Sequence, residues 1–236
     1  MMSILKADLL KVKRKWFWLL VFLGPFGVIA LQLVNYGIRY DYLIQQEPDV
    51  WAGLLDNINM FVAPALLLGM TILASQISAI EHQQSSWKQL LSLPVQRGYV
   101  FLSKFTVVAI MIFISSTLLF IGSVLFGIGL QFGLDIPFLA VIKNSYYPFL
   151  AGIPVLCLQV WLSIVMQNQA FPLAAGVFGA VFSMTAAFAA PDWIPWKWPL
   201  LIGEHDPIWY AAAGLITGTV ILLSGLMDFV RREVLS

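Results

Sequence analysis

Residues 107–130 read VVAIMIFISSTLLFIGSVLFGIGL, a run with no charge, no proline and no polar–apolar alternation. A helix crossing a hydrocarbon layer of about 30 Å needs about 20 such residues. A strand of a membrane barrel would show about ten residues of alternating character between turns. The run predicts a transmembrane helix. Working outward, stretches of the same character recur along the chain, and six spans are expected: Trp16–Tyr36, Asn57–Ile80, Phe105–Leu130, Tyr147–Met166, Phe171–Ala190 and Trp209–Val230. The whole 236-residue chain is 60% hydrophobic and 11% charged, against about 25% charged in an average soluble domain. It reads as an all-α membrane protein with a single domain over residues 1–236. The first apolar run is longer than a signal peptide's core of about 7–15 residues, and no small-residue cleavage site follows it before Tyr40, so it is read as a retained span.

Charge is sparse but unevenly placed. Six spans put both termini and the second and fourth loops on one side, where Lys6, Lys11, Lys13, Arg14, Lys15, Lys88, Arg97, Lys104, Arg231 and Arg232 collect. Only Arg39, Lys143 and Lys197 fall on the other. Positive residues stay cytoplasmic, so both termini are expected inside, in a multi-pass protein of the bacterial cytoplasmic membrane. The net charge of +1 gives no reason to expect a nucleic-acid partner.

Within the spans the polar residues are neutral: Gln32, Gln76, Gln159, Ser163, Ser183, Thr185 and Thr217. Ion-coupled pumps and proton relays need ionisable groups at depth, and the sequence offers none. Cys157 is the only cysteine, and His82 and His205 fall on opposite sides of the membrane, so no metal site is expected. There is no phosphate-binding loop, no HExxH and no GxSxG. Gly214 and Gly218 form a GxxxG pair in the last span, a spacing that lets backbones approach closely. It is expected to pack helices of the same chain rather than a dimer.

Three extramembrane segments carry pattern. In residues 1–15, Leu5, Leu9, Val12 and Trp16 recur at helical spacing while the lysines avoid that stripe, which predicts an amphipathic helix on the membrane surface. Residues 190–208 alternate tryptophan with proline, placing Trp193, Trp196 and Trp198 at the outer interface. They are candidates for an outer lid that handles substrate, or for a simple cap. The third segment, EHQQSSWKQLLSLPVQRGYVFLSK at residues 81–104, is the longest cytoplasmic loop between spans. Trp87, Leu90 and Leu91 follow i, i+3, i+4 spacing, so a short helix from about Gln83 to Leu93 presents an apolar face. Pro94 stops it and Arg97-Gly98 turns the chain back. Spacing alone leaves two uses open: insertion into a groove on a soluble partner, or folding against the lipid.

The succession Glu81, Trp87, Leu90-Leu91, Pro94-Val95, Arg97, Lys104, with six spans and a basic N-terminal helix, resembles the membrane subunits of type-2 ABC exporters. The resemblance covers essentially the whole chain and is nearest to the lantibiotic-immunity and bacitracin-resistance permeases. Ser85-Ser86 departs from the glycine often found there. The resemblance implies that residues 1–15 are an elbow helix. It implies that residues 81–104 hold a coupling helix docking a cytoplasmic ABC ATPase subunit through Glu81, Trp87, Leu90, Leu91 and Arg97. This chain would then be a permease without catalytic residues or cofactor of its own, with ATP and Mg on the partner. It would pair with a second permease chain, the same or related, and expel an amphipathic peptide or drug. Two other readings stay open: a non-transporting sensor or assembly protein that docks a cytoplasmic regulator, and a lipid-active enzyme.

Overall fold

The computed structural model describes residues 2–13, 17–83 and 96–231, and all its regular elements are helical. The order is α1 (Met2–Lys13), α2 (Phe17–Gln46), α3 (Val50–Gln83), α4 (Arg97–Gly129), α5 (Phe138–Ala151), α6 (Ile153–Val165), α7 (Ala170–Ala189), a 3-10 turn (Trp198–Leu200) and α8 (Pro207–Arg231). Five of these units are long and apolar enough to cross a membrane: Phe17–Gln46, Val50–His82, Arg97–Gly129, Phe138–Val165 and Pro207–Arg231. The expected span Phe171–Ala190 is present as α7, but its stretch Ala170–Thr185 counts only as a shorter apolar helix. α7 as a whole, Ala170–Ala189, is 20 residues long, about 30 Å at 1.5 Å per residue. Five full-length candidate spans are found among the described residues, where the sequence predicted six.

Most of the one loop expected between the first two spans, residues 37–56, is instead helix. α2 continues past the predicted end at Tyr36 to Gln46, bending at Arg39, whose backbone leaves helical geometry at φ −125°, ψ 26°. α3 begins at Val50 rather than Asn57 because Asp49 caps it: its Oδ1 accepts from the amides of Trp51 (3.0 Å) and Ala52 (3.2 Å). Between α4 and α5, Gly133 at φ +89° takes the left-handed turn that only glycine enters without strain.

The fourth crossing is broken at Gly152. Pro154 has no N–H to give Leu150 O, and α8 brings Gly214 against that carbonyl, where a side chain on Gly214 would also strike Ala151 Cα at 2.6 Å. Gly218 lies equally close to Ile153. The GxxxG pair thus serves contact within this chain. α3 runs through the middle, packing on α2, α4, α5, α6 and α7. One apolar cluster fills the centre and the end that carries α1, around Phe17, Met70, Phe101 and Leu156. A second closes the opposite end, where Phe132 meets Tyr36 at 6.0 Å and Trp51 at 6.2 Å, edge to face.

Candidate functional site

The two ends of the 81–104 stretch meet. Glu81, in the last turn of α3, and Lys104, two turns into α4, form an ion pair at 2.7 Å with side chains 1% and 0% exposed. Lys104 also donates to Ile77 O at 3.3 Å. From α1, Lys11 reaches the other carboxylate oxygen of Glu81 at 2.8 Å, and Asp8, 3.4 Å from Lys11, accepts from Ser103 Oγ at 2.7 Å. Charge removed from water needs such partners. Three helices are thereby fastened around one carboxylate, at the base of the loop. Burial opposes the Lys11 ammonium, but Glu81 and Asp8 outweigh it and hold its pKa above the ordinary lysine value.

α1 packs against the bundle. Val12 is fully buried with Phe17 and Val21, and Leu5 packs on the same cluster, whereas Leu9 is 37% exposed. The stripe read from the sequence is therefore split: Leu5 and Val12 face protein and Leu9 does not. Asp8, which the hydrophobic pattern passed over, lies buried beside them. Trp16 lies outside the described residues, as do Trp87, Leu90 and Leu91; Arg97 is the first residue of α4.

The Glu81 end of α3 is tied on its other side as well. His82 Nε2 lies 3.2 Å from Ser163 O, Ser75 Oγ donates to Gln169 Oε1 at 3.0 Å, and Gln169 Nε2 donates to Ser163 O at 2.9 Å. The α6–α7 turn is thus joined to the same helix that carries Glu81.

At the opposite end, Asp192 organises the tryptophan–proline segment. Lys197 Nζ lies 2.7 Å from Asp192 Oδ1 and donates to Ala190 O at 2.8 Å. Tyr210 OH (2.7 Å) and the Glu204 amide (2.8 Å) donate to Asp192 Oδ2, and Trp198 Nε1 donates to the Asp192 carbonyl at 2.6 Å. The Lys197 bond first, then the Glu204 amide and Tyr210, hold the Asp192 carboxyl well below the usual carboxylate range. Trp198 is buried, Trp196 packs on the inner cluster against Gly179, and Trp193 is 73% exposed. Of the three candidate lid residues, only Trp193 presents an open ring. Asn59 of α3 donates to Leu200 O at 2.6 Å, so the cap is also fixed to the central helix.

The family model described as ABC-2 family transporter protein matches residues 4–183, from α1 into α7. The chain belongs to the ABC-2 transporter family. Comparison with curated proteins and with solved structures gave no significant match. Membership in the ABC-2 family makes this chain the membrane permease component of an ABC transporter, a component that generally has no ATPase site of its own and works with ATP-binding subunits. Within the ABC-2 match lie both Glu81 and Lys104, while the Asp192 cap lies beyond it. Among the described residues no cluster of His, Cys, Asp or Glu could hold a metal.

Proposed function

We propose that this ABC-2 chain is the permease subunit of an exporter that removes an amphipathic peptide or other amphipathic antibiotic from the membrane and expels it outward. It does so in self-protection, with energy from a separate ATPase. The working unit is two permease chains, the same or related, with two ATPase subunits, in a bacterial cytoplasmic membrane. α7 makes the sixth crossing, and both termini are inside. Trp87, Leu90 and Leu91 dock into the ATPase, flanked by Glu81 and Arg97, and ATP and Mg are held by that partner.

The observation that carries this reading is the Glu81–Lys104 pair closing the base of residues 81–104, with Lys11 joining α1 to it. A loop clamped at its base moves with the helices it connects. A push delivered to Trp87 and Leu91 therefore reaches α3, α4 and α1 together, instead of being absorbed by slack. A chain lacking the clamp could bind an ATPase and gain no motion from it.

The test is to extract the tagged chain from its host in mild detergent and identify what accompanies it. The expected result is a stoichiometric soluble ATPase, lost when Trp87→Asp and Leu91→Asp are combined. Recovery of the chain without an ATPase, under conditions that keep other ABC complexes intact, overturns the reading in favour of a sensor or assembly protein.

A further inference from the structure

Between α2, α3 and α4 lies a crevice of about 40 Å³, where a single water needs about 10–15 Å³. Small residues make the room: Gly24 and Pro25 on α2 with Ala65 and Gly69 on α3. A Cβ on Gly24 would stand 3.6 Å from Ser115 Oγ, ordinary contact distance, so the missing side chain leaves a methyl-sized opening beside that serine. Gly24, Ala65, Gly69 and Ser115 are all half-buried, so the crevice is open between the helices.

Its polar lining comes from Ser115 and Ser116 on α4. Neighbouring hydroxyls of that helix, Thr106, Thr117 and Ser123, each donate to the carbonyl four residues back, at 2.7, 2.9 and 2.8 Å. Ser115 and Ser116 make no such bond and have no hydrogen-bond partner among the described residues. Ser116 is only 3% exposed. A hydroxyl without a partner in an apolar setting is costly, and here two adjacent ones line the same gap.

Depth decides what fills it. Ser115 and Ser116 stand at the middle of α4, which runs from Arg97 to Gly129. The ester groups of a phospholipid lie at the edge of the hydrocarbon, about 15 Å from the midplane. At this level a phospholipid offers only CH₂ groups, which satisfy neither serine.

We infer that the crevice is an intramembrane binding site for an amphiphile with an aliphatic chain and an amide, ester or hydroxyl group, the chain lying between Gly24 and Gly69 and the polar group bonding to Ser115 and Ser116. This site rests on the transport reading for the identity of its occupant, the exported compound, taken up sideways from the bilayer rather than from water.

The purified full chain, in lipid nanodiscs without any ATPase, tests the site independently of co-purification. The probe is a sixteen-carbon chain carrying a diazirine and a mid-chain amide, with an amide-free version alongside. Photolabelled peptides are located by mass spectrometry. The amide probe is expected to mark α2 and α4 around Gly24 and Ser116 at least fivefold above the amide-free probe. Gly24→Leu should lower that labelling about tenfold. Gly27→Leu, on the same helix with nothing within 4 Å of its Cβ, should leave it unchanged. Ser115→Ala with Ser116→Ala, which removes no packing volume to speak of, should abolish the preference for the amide probe. Equal labelling by both probes overturns the proposal and makes the crevice a seat for lipid hydrocarbon. Equal effects of Gly24→Leu and Gly27→Leu overturn it too.

Discussion

Lys104→Met tests the clamp most directly. Neither Lys104 nor Glu81 has appreciable exposure, and they lie 2.7 Å apart. Removing one member of a buried pair leaves an uncompensated charge and costs about 3–5 kcal/mol. Lys11 stays within 2.8 Å of the same carboxylate, though its side chain is 38% exposed, so the loss should sit near about 3 kcal/mol. For a protein of this size each kcal/mol moves the midpoint by about 2–4 °C, which gives a Tm lower by about 6–12 °C. Combining Lys104→Met with Glu81→Gln removes both charges, and most of that loss should return, to within about 1 kcal/mol of the parent. The protein carries its own reporter: Cys157 is its only cysteine and is 1% exposed. A dye that fluoresces on reacting with thiols therefore reads unfolding in detergent without an added label. A Lys104→Met variant melting within about 2 °C of the parent, or a double variant as unstable as the single one, would refute the reasoning. If the clamp transmits motion, the double variant should also stay folded while transport falls relative to ATP hydrolysis.

At the outer end, the low Asp192 pKa makes cap stability a contribution present above the unfolded carboxylate range and lost only as pH falls well below it. Tryptophan emission should stay constant from pH 7 to about pH 4 and shift red only in stronger acid, whereas Asp192→Asn should be red-shifted already at pH 7. Gly214→Ala forces a methyl group onto Ala151 and should cost about 1–3 kcal/mol, seen as a lower melting point. Gly129→Ala, with nothing within 4 Å, should cost no such packing energy. The crossing count is checked with single cysteines in place of Lys6 and Arg231, both exposed. If α7 crosses, both react with an impermeant reagent only after the membrane is opened, and labelling of the Arg231 position in intact cells would establish five crossings.

Long uncharged runs such as 107–130 were legible because hydrocarbon imposes one rule over many consecutive residues, and the rule shows in composition. The ends were not. Arg39 and Asp49 govern how α2 bends and α3 begins, through one backbone geometry and one side-chain cap, and neither leaves a periodic trace. The clamp was half legible: Glu81 and Lys104 stood out as the charges bounding the loop, but their pairing depends on how α3 and α4 meet, and Asp8 was hidden by a stripe count that weighs only apolar positions. The tryptophans of the cap were found by type, while their organiser, Asp192, is one of the chain's 12 acidic residues. Nothing in the order of residues said that it would collect Lys197, Tyr210 and the Glu204 amide.

The central helix has a consequence for how the two faces communicate. α3 carries Glu81 in the clamp at one end and Asn59 in the bond to the Asp192 cap at the other. At 1.5 Å per residue these positions are about 33 Å apart along one helix. An axial displacement at one end is therefore delivered to the other by a rod, with no loop between them to take up the stroke. Pro64, five residues along α3 from Asn59, withholds one backbone hydrogen bond from that rod. Flexing of α3 is therefore easiest close to the Asp192 cap and far from the Glu81 clamp.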